Sequence, residues 1–295
     1  MDIQNLTAFI SVAQLQSFSL AAEQLHLTQP AISKRISGLE LELGTALFDR
    51  SGRSPRLTEA GNTLLPRARG IMRELQLAQQ EVMDLADTVS GTLRLATSHH
   101  VGLHHLPPVL RSFTDRYPEV RLQIAFTDSE KGYEAVQRGD IELAVITLAP
   151  QQPAALTAHA LWSDPLCFVA ARSHPLARAE TSGASLSLRQ LSEHANVMPG
   201  LDTYTGQIIR RLFERHDLPL DTLMTTNYLE TIKMMVNVGL GWSILPETLI
   251  DDELRRLPVA TAPLIRQLGY ITHRKRPPSN AAKAFARLLL ATPAS

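Results

Sequence analysis

The chain has 295 residues, 44% of them hydrophobic and 20% charged, a composition typical of folded globular proteins. Because this length exceeds what one core of ordinary size accommodates, we expect two or three domains. The 29 basic and 29 acidic residues cancel, which disfavours a histone-like packaging protein, and the single cysteine excludes an intrachain disulfide and a cysteine-based zinc cluster.

The amino-terminal segment also bears on location. Met1–Asn5 lacks the basic start and apolar run of a signal peptide. No apolar stretch approaches the roughly 20 residues that span a bilayer. The sequence therefore predicts a soluble, cytoplasmic protein with no membrane partner.

Two short helices joined by a tight turn are the first informative elements. The first could start at Ser19 and runs to about Leu25. The second is predicted to begin at Thr28, a capping residue, followed by Gln29 and Pro30, since proline is tolerated in the first turn. Its apolar stripe consists of Ile32, Ile36, Leu39 and Leu43. This pattern predicts a helix-turn-helix whose second helix enters the major groove of DNA; an αα-hairpin with a merely solvated polar face is the alternative.

The following segment, residues 47–58, reads as strand, Gly/Pro turn and strand. It contains Arg50, Arg53 and Arg56 with one acidic residue, a pattern that predicts a wing able to contact phosphates or a minor groove. Residues 1–58 carry five basic and five acidic side chains, but no acid occurs within 29–39 or 50–58, so the cations form two basic patches. The predicted DNA-binding residues are Ser19, Thr28, Gln29, Pro30, Ser33, Lys34, Arg35, Arg50, Arg53 and Arg56.

Specific residues within this module carry a family resemblance. Ala21-Ala22, Thr28-Gln29-Pro30-Ala31-Ile32-Ser33, Leu39-Glu40, Leu43-Gly44, Leu47-Phe48-Asp49-Arg50 and Leu57-Thr58-Glu59-Ala60-Gly61 follow in order over about sixty residues. In order and spacing they resemble the amino-terminal domain of LysR-type transcriptional regulators. The resemblance implies an operator-binding protein.

A heptad pattern follows the predicted wing. Its positions are Leu64, Ala68, Ile71, Leu75, Ala78, Val82, Leu85 and Val89, spaced alternately by four and three residues. The pattern predicts a helix from about Glu59 to Val89 whose seam a second subunit covers; the alternative is a helix packed on its own domain. Pro66 is expected to bend this helix near its start. The family resemblance likewise implies a dimerising linker helix, and adds a homotetramer formed through effector domains.

From Ser90-Gly91 onward, strands and helices alternate. Predicted strands cover 93–97, 120–126, 141–148, 166–171, 222–226 and 265–272, and predicted helices cover 103–116, 129–138, 204–215, 228–237 and 280–291. Such strand–helix–strand units imply a parallel sheet with right-handed crossovers. Residues 239–246 resemble, more loosely, the family's effector domain, which has the α/β two-lobed fold of type 2 periplasmic solute-binding proteins.

The predicted domains are therefore a winged helix-turn-helix at 1–58, a coiled-coil linker helix at 59–89 and an effector-binding domain at 90–295. Within the last, one lobe is expected at about 91–162 and 266–295 and the other at about 163–265.

A two-lobed body of this kind binds its ligand in the cleft, at the carboxyl ends of strands and the amino ends of helices. The positions there are Ser98, His99, His100, Thr127, Thr147, Met198, Pro199, Gly200, Thr203, Thr226 and Asn227. Hydroxyls and backbone N–H groups favour a small anion, often a carboxylate. Each threonine taken singly is more simply a cap or a strand end, whereas their recurrence at one topological point indicates a pocket.

The histidines at 99, 100, 104 and 105 raise the question of a metal. No carboxylate or cysteine lies within the cluster, so we predict no metal site and no cofactor there. Cys167 lies in an apolar run and is expected to be a buried hydrophobe.

Phosphate-loop, Gly-x-Ser-x-Gly and HExxH motifs do not occur, so the chain is not predicted to be an enzyme. We expect a sequence-specific transcriptional regulator controlled by a small-molecule effector, with RNA polymerase as a possible partner. The alternatives are a ligand-independent DNA-architectural dimer and a solute carrier with a vestigial head.

Overall fold

The computed structural model describes residues 1–52, 54–85, 88–177 and 185–292, which fall into two units, Met1–Ala86 and Asp87–Ser295. The first unit contains helices α1 (Ile3–Leu15), α2 (Phe18–Gln24), α3 (Gln29–Leu43) and α4 (Glu59–Asp84). Strands β1 (Phe48–Asp49) and β2 (Arg56–Leu57) form an antiparallel hairpin between α3 and α4. This is the predicted winged helix-turn-helix.

Capping residues set the limits of the two central helices. The Thr28 hydroxyl accepts a hydrogen bond from the backbone N–H of Ala31, and α3 ends at Gly44, whose φ of 67° requires the left-handed region. Helix α2 begins one residue earlier than the predicted Ser19, because the Ser17 side chain caps it by accepting from Leu20 N–H.

The apolar stripe of α3 fills the core of this unit. Ile32, Ile36 and Leu39 are fully buried, and they share one cluster with Phe9 of α1. Burying a large apolar side chain stabilises the fold by about 1.5–3 kcal/mol, so this packing holds the three-helix head together.

Helix α4 departs from the predicted heptad at both ends. Leu64 and Ala68 pack in the core of their own unit, as the alternative interpretation of this helix required. The helix ends at Asp84, and Val89 lies beyond it, packed on the core of the second unit. Exposed apolar side chains remain at Ile71 and Val82 in α4 and at Leu85, directly after its last residue.

The second unit alternates strands and helices. Its strands are β3 (Gly91–Thr97), β4 (Val120–Phe126), β5 (Leu143–Thr147), β6 (Leu156–Ala171), β7 (Val197–Met198), β8 (Met224–Thr225), β9 (Ser243–Pro246), β10 (Leu254–Arg256) and β11 (Leu264–His273). Its α-helices are α5 (His99–His104), α6 (Pro107–Arg116), α7 (Ser129–Arg138), α8 (Leu188–Ser192), α9 (Tyr204–Glu214), α10 (Leu229–Asn237) and α11 (Asn280–Ala291).

The sheet of this unit is mixed, so the predicted parallel arrangement holds for only some of its strands. Seven strands form one sheet in the order β10-β6-β11-β5-β3-β4, with β9 also paired to β6. The pairs of β3 with β4 and β5 are parallel, whereas β11 is antiparallel to both β5 and β6. The separate pair β7–β8 is parallel.

Two strands pass through both lobes. Along β6, Trp162 packs in the core around β3 and β5, and Leu166 packs in the core around α9 and Trp242. Strand β11 accompanies β6 along its length. We name the lobe around β3, β4 and β5 the first lobe and the lobe around α9, α10 and β9 the second lobe. Leu268 of β11 and Phe285 of α11 lie in the core of the first lobe.

Two predicted elements have different limits for reasons visible in the sequence. Strand β6 begins at Leu156 instead of Leu166, because Asp164 and Pro165 lie within the ladder, opposite Arg266 and Ile265. The helix predicted at 103–116 is two helices, with α6 starting at Pro107, where proline has no N–H to donate to the preceding turn. No helix in the described part of the chain is long and apolar enough to cross a membrane.

Two glycines of the first unit give a matched test of this packing. A Cβ on Gly61, in α4, would lie 2.2 Å from the Leu47 backbone oxygen, whereas a Cβ on Gly38, in α3, would meet only Asn5 Nδ2 at 3.9 Å. Gly61→Ala is therefore expected to destabilise the first unit by about 1–3 kcal/mol through overpacking. Gly38→Ala is expected to stabilise it by about 0.5–1 kcal/mol, because alanine favours a helix interior.

Hydrogen exchange of α1–α3 peptides across a urea series measures both effects in the full-length protein. The fluorescence of Trp162 and Trp242 reports the second unit and should show unchanged unfolding in both variants. Equal stability of the two variants would contradict the close packing of α4 against the wing.

Candidate functional site

The amino-terminal half of α3 presents a polar surface. Gln29, Pro30 and Lys34 are exposed and Ser33 is half-buried, opposite the buried apolar stripe. The Gln29 amide donates a hydrogen bond to Ser33 Oγ at 3.2 Å, so these two predicted base-reading side chains are adjacent. Thr28 and Ser19 are also exposed. This exposed face carries uncharged hydrogen-bonding groups and one lysine, and such a face can contact the edges of bases.

Glu40 fixes the wing against α3. One carboxylate oxygen accepts the backbone N–H groups of Leu47 and Phe48 at 2.8 and 3.3 Å, and the other pairs with Arg50 Nη2 at 2.9 Å. The Arg50 guanidinium also lies 5.3 Å from the centre of the Phe18 ring. Sequence reasoning quoted Glu40 only as part of a motif and missed that it holds the wing.

The other predicted DNA-binding cations differ in their surroundings. Arg35 Nη2 donates to Gln4 Oε1 at 2.7 Å and thereby joins α3 to α1. Arg56 is exposed on β2, opposite Asp49. Hydrogen bonds from Ser51 hold the pKa of Asp49 below its usual value. Arg53, predicted at the wing tip, lies outside the described residues.

A cavity of about 300 Å³ lies between the lobes of the second unit. Ser98 follows β3, Thr127 follows β4 and Thr147 ends β5, so the carboxyl ends of three neighbouring strands meet there. The predicted positions that line it are Ser98, His99, His100, Thr127, Thr147, Pro199, Thr203 and Asn227.

Three predicted positions, Met198, Gly200 and Thr226, are not part of this lining. Met198 is fully buried in the core of the second lobe, and its carbonyl accepts the backbone N–H of Thr226. Gly200 donates its N–H to Asn227 Oδ1 at 3.1 Å. A Cβ on Gly200 would lie 2.9 Å from that oxygen, so the glycine permits the close approach of Asn227.

A buried arginine that sequence reasoning missed also lines the cavity. Arg266 Nε donates to Asp164 Oδ2 at 2.7 Å, and Nη1 donates to Thr205 Oγ1 at 3.0 Å. Nη2 is buried with no hydrogen-bond partner among the described residues. Burial lowers the pKa of Arg266 and the adjacent Asp164 carboxylate opposes that effect. The available signal was a single arginine in the otherwise uncharged strand 265–272.

Two carboxylates of the first lobe reach across the cleft. Glu130 Oε1 accepts the backbone N–H of Tyr204, at the amino end of α9, at 2.6 Å. Asp128 Oδ1 accepts from Asn227 Nδ2 at 3.1 Å. Burial raises the pKa of Glu130, although the Tyr204 N–H stabilises its charged form. The amino terminus of α9, where we expected an external anion, therefore holds the protein's own carboxylate.

In the folded chain, the carboxylate of Glu230 lies beside the histidine cluster, although it is 126 residues from His104 in the sequence. His104 Nε2 lies 3.0 Å from Glu230 Oε1, on α10. Burial would raise the pKa of Glu230, but the neighbouring His100 and His104 side chains and its own backbone N–H stabilise its charged form and lower the pKa to about 2. Burial lowers the pKa of His100 and brings that of His105, stacked on Trp162, to about 4.

Both units match known protein families. A family model described as a bacterial regulatory helix-turn-helix protein of the lysR family matches residues 3–62, and a LysR substrate binding domain matches residues 86–294. The chain is 30% identical to the RuBisCO operon transcriptional regulator of Allochromatium vinosum, over 98% of this chain and 96% of that protein. It is 58% identical, over 37% of this chain and 75% of the other, to an uncharacterized HTH-type transcriptional regulator of Azotobacter vinelandii.

Solved structures show the same fold. CbnR complexed with its target DNA has a TM-score of 0.70 at 20% identity, covering 98% of this chain and 99% of that chain. A full-length OxyR variant from Pseudomonas aeruginosa has a TM-score of 0.68 at 23% identity, covering 98% of each chain. With a matched winged head and a matched effector domain, this chain belongs to the LysR family of transcriptional regulators, which are DNA-binding proteins and not enzymes.

Proposed function

We propose that this regulator acts in the cytoplasm as a homodimer on a pseudo-palindromic operator, and that a small anionic effector in the cleft controls operator binding or DNA bending. The observation that carries the effector proposal is the buried Arg266, which lines the cleft and whose Nη2 has no hydrogen-bond partner among the described residues. An unpaired buried donor of this kind costs free energy unless a ligand supplies an acceptor.

The charged side chains that line the cleft favour one class of effector over others. Arg266 and Lys131 line the cavity together with Asp128 and Glu130. A polyanion would meet the two carboxylates, so we favour a metabolite with one carboxylate directed at Arg266. The hydroxyls of Ser98 and Thr147 supply further hydrogen bonds, and a donor group on the same metabolite would complement Asp128 or Glu130.

Regulation requires that the effector bind two conformations with different affinity. The contacts from Glu130 to Tyr204 and from Asp128 to Asn227 cross the cleft and support a closed form, which an effector would stabilise or open. A coupling of about 1–3 kcal/mol changes affinity about 5–150-fold. The consequence at the promoter would be altered DNA bending and recruitment of RNA polymerase.

Exposed apolar side chains on α4 and at the residue directly after it support dimerisation. Ile71, Val82 and Leu85 are 41%, 68% and 84% exposed and lie in one heptad register. A second copy of α4 would cover this stripe and place two winged heads on half-sites about 34 Å apart. Assembly into a homotetramer through effector domains is the family's pattern and completes the proposal.

Two exposed glutamines test the DNA-reading assignment. Gln29→Ala, at the start of α3, should lose about 1–3 kcal/mol on the cognate operator and little on scrambled DNA, because a base contact carries specificity. Gln14→Ala, exposed on α1, is the control and should change neither affinity. Fluorescence anisotropy with an operator recovered by sequencing bound genomic fragments measures both. Equal losses for Gln29→Ala on both DNAs would reduce its role to generic affinity.

The proposed subunit interface is tested by introducing acidic side chains into the apolar seam of α4. Ile71→Asp together with Leu75→Asp should convert the isolated 1–90 fragment from dimer to monomer in analytical ultracentrifugation, because burying a carboxylate in an apolar seam is unfavourable. Gln76→Asp, on the exposed polar surface of α4, serves as the control and should leave the dimer intact. A double variant that remains dimeric would place the interface elsewhere.

The effector site is tested by removing hydroxyls from the cavity. Metabolites that raise the melting temperature of the wild type in a thermal-shift screen should bind Ser98→Ala and Thr127→Val about 10–150-fold more weakly, since each lost hydrogen bond to a charged ligand is worth about 1.5–3 kcal/mol. Thr157→Val, which does not line the cavity, should bind normally, and all three should bind operator normally without effector. Undiminished stabilisation of both cavity variants would move the effector site out of the cleft.

A further inference from the structure

Three side chains from the two lobes converge beside the cleft. His100 and His104 lie one turn apart on α5, and Glu230 lies on α10. One nitrogen or oxygen of each lies within 4.8 Å of the others. His104 Nε2 is 3.0 Å from Glu230 Oε1, and His100 Nδ1 is 3.6 Å from the same oxygen.

These separations match those of metal ligands. Zinc binds imidazole nitrogen and carboxylate oxygen at about 2.0–2.2 Å in tetrahedral geometry, which places neighbouring ligand atoms roughly 3.4 Å apart. The two distances to Glu230 Oε1 lie on either side of that value. Small side-chain movements would therefore suffice to place an ion between the three groups.

Unsatisfied buried atoms point to a missing ligand at this position. The His100 side chain is only 3% exposed, and its Nδ1 has no hydrogen-bond partner among the described residues. The second carboxylate oxygen of Glu230, 3.7 Å from His99 Nδ1, is likewise buried without a hydrogen-bond partner there. Since buried polar atoms are normally paired, a cation bound to both would remove an unfavourable desolvation.

The Nε2 side of the His100 ring faces a hydroxyl and a carboxylate, as the non-ligating nitrogen often does in metal sites. Its Nε2 lies 3.4 Å from Thr248 Oγ1 and 3.8 Å from the buried carboxylate of Asp164. Metal-binding imidazoles commonly direct their other N–H toward a carboxylate, which fixes the tautomer and leaves the ligating nitrogen deprotonated. In the tautomer protonated on Nε2, the lone pair of Nδ1 is free to bind an ion held beside Glu230.

We infer that His100, His104 and Glu230 bind a divalent transition-metal ion across the two lobes. Two imidazoles and one carboxylate form a donor set that suits zinc, copper, nickel or cobalt better than magnesium or calcium. The side chains of His104 and Glu230 are 32% and 29% exposed, which gives an ion access from solvent. Because α5 packs in the first lobe and α10 in the second, the ion would fasten the lobes together at the edge of the cavity, which His100 also lines.

The test uses tag-free, full-length protein stripped with a chelator and titrated with Co²⁺, whose d–d absorption reports coordination, and with Zn²⁺ in competition with a chromophoric chelator. The wild type should bind one ion per chain with the absorption of a four- or five-coordinate site. His104→Gln and Glu230→Gln should each weaken binding at least 100-fold. Glutamine keeps approximate size and polarity, and circular dichroism checks that both variants fold.

His194→Gln is the matched control, because His194 and His174 form another imidazole pair with ring centres 5.5 Å apart. This variant should bind the ion as the wild type does. The inference is overturned if the wild type binds no ion at one equivalent, because the three residues would then be an ordinary ionic cluster. It is equally overturned if binding survives in both cluster variants or is lost in His194→Gln.

Discussion

The buried pair formed by Asp164 and Arg266 is the constraint on which the effector domain depends. The two residues are direct partners across β6 and β11, the strands that run through both lobes. Each side chain is less than 5% exposed, and Nε donates to Oδ2 at 2.7 Å. Breaking a buried pair by removing one partner typically costs about 3–5 kcal/mol, because the remaining charge is left uncompensated. The pair therefore fixes the strands at the point where the lobes meet.

The two residues of this pair lie beside two different groups of functional side chains. Arg266 lines the cavity between the lobes, and Asp164 Oδ2 lies 3.8 Å from His100 Nε2. An effector carboxylate at Arg266 and a metal ion at His100 would thus act on neighbouring groups. Glu130 is a third charged group at the cleft. Its carboxylate already lies at the amino end of α9, so an anionic effector must bind beside it or displace it.

Local signals explain which parts of the fold could be predicted from sequence. Thr28, Pro30 and Gly44 determine the limits of α3 through capping and backbone conformation, and these effects act within a few residues. Strand β4 and helices α7 and α11 begin and end where periodicity placed them. The cleft's hydroxyls were predictable for a related reason, because the carboxyl ends of parallel strands meet at one edge of a sheet.

Long-range pairing explains what could not be predicted. Glu230 joins the histidines, and Glu130 reaches Tyr204, only because the two lobes face each other, and no periodicity encodes that distance. Leu64 and Ala68 fit a heptad yet pack on their own domain, since the same apolar spacing serves either neighbour. The mixed sheet was missed because β11 returns antiparallel after a long excursion through the second lobe.

The central claim is that the state of the cleft controls the DNA-bound form of this regulator. It is tested most directly by replacing Asp128 and Asn227, whose side chains meet across the cleft, with cysteines in a Cys167→Ser background and joining them with a short bismaleimide. Operator affinity and DNA bend angle are then measured for the linked protein and for the same protein capped with a monofunctional maleimide. The account predicts a difference in affinity of about 5–150-fold or a distinct bend angle. Identical affinity and bending in the two forms would contradict it.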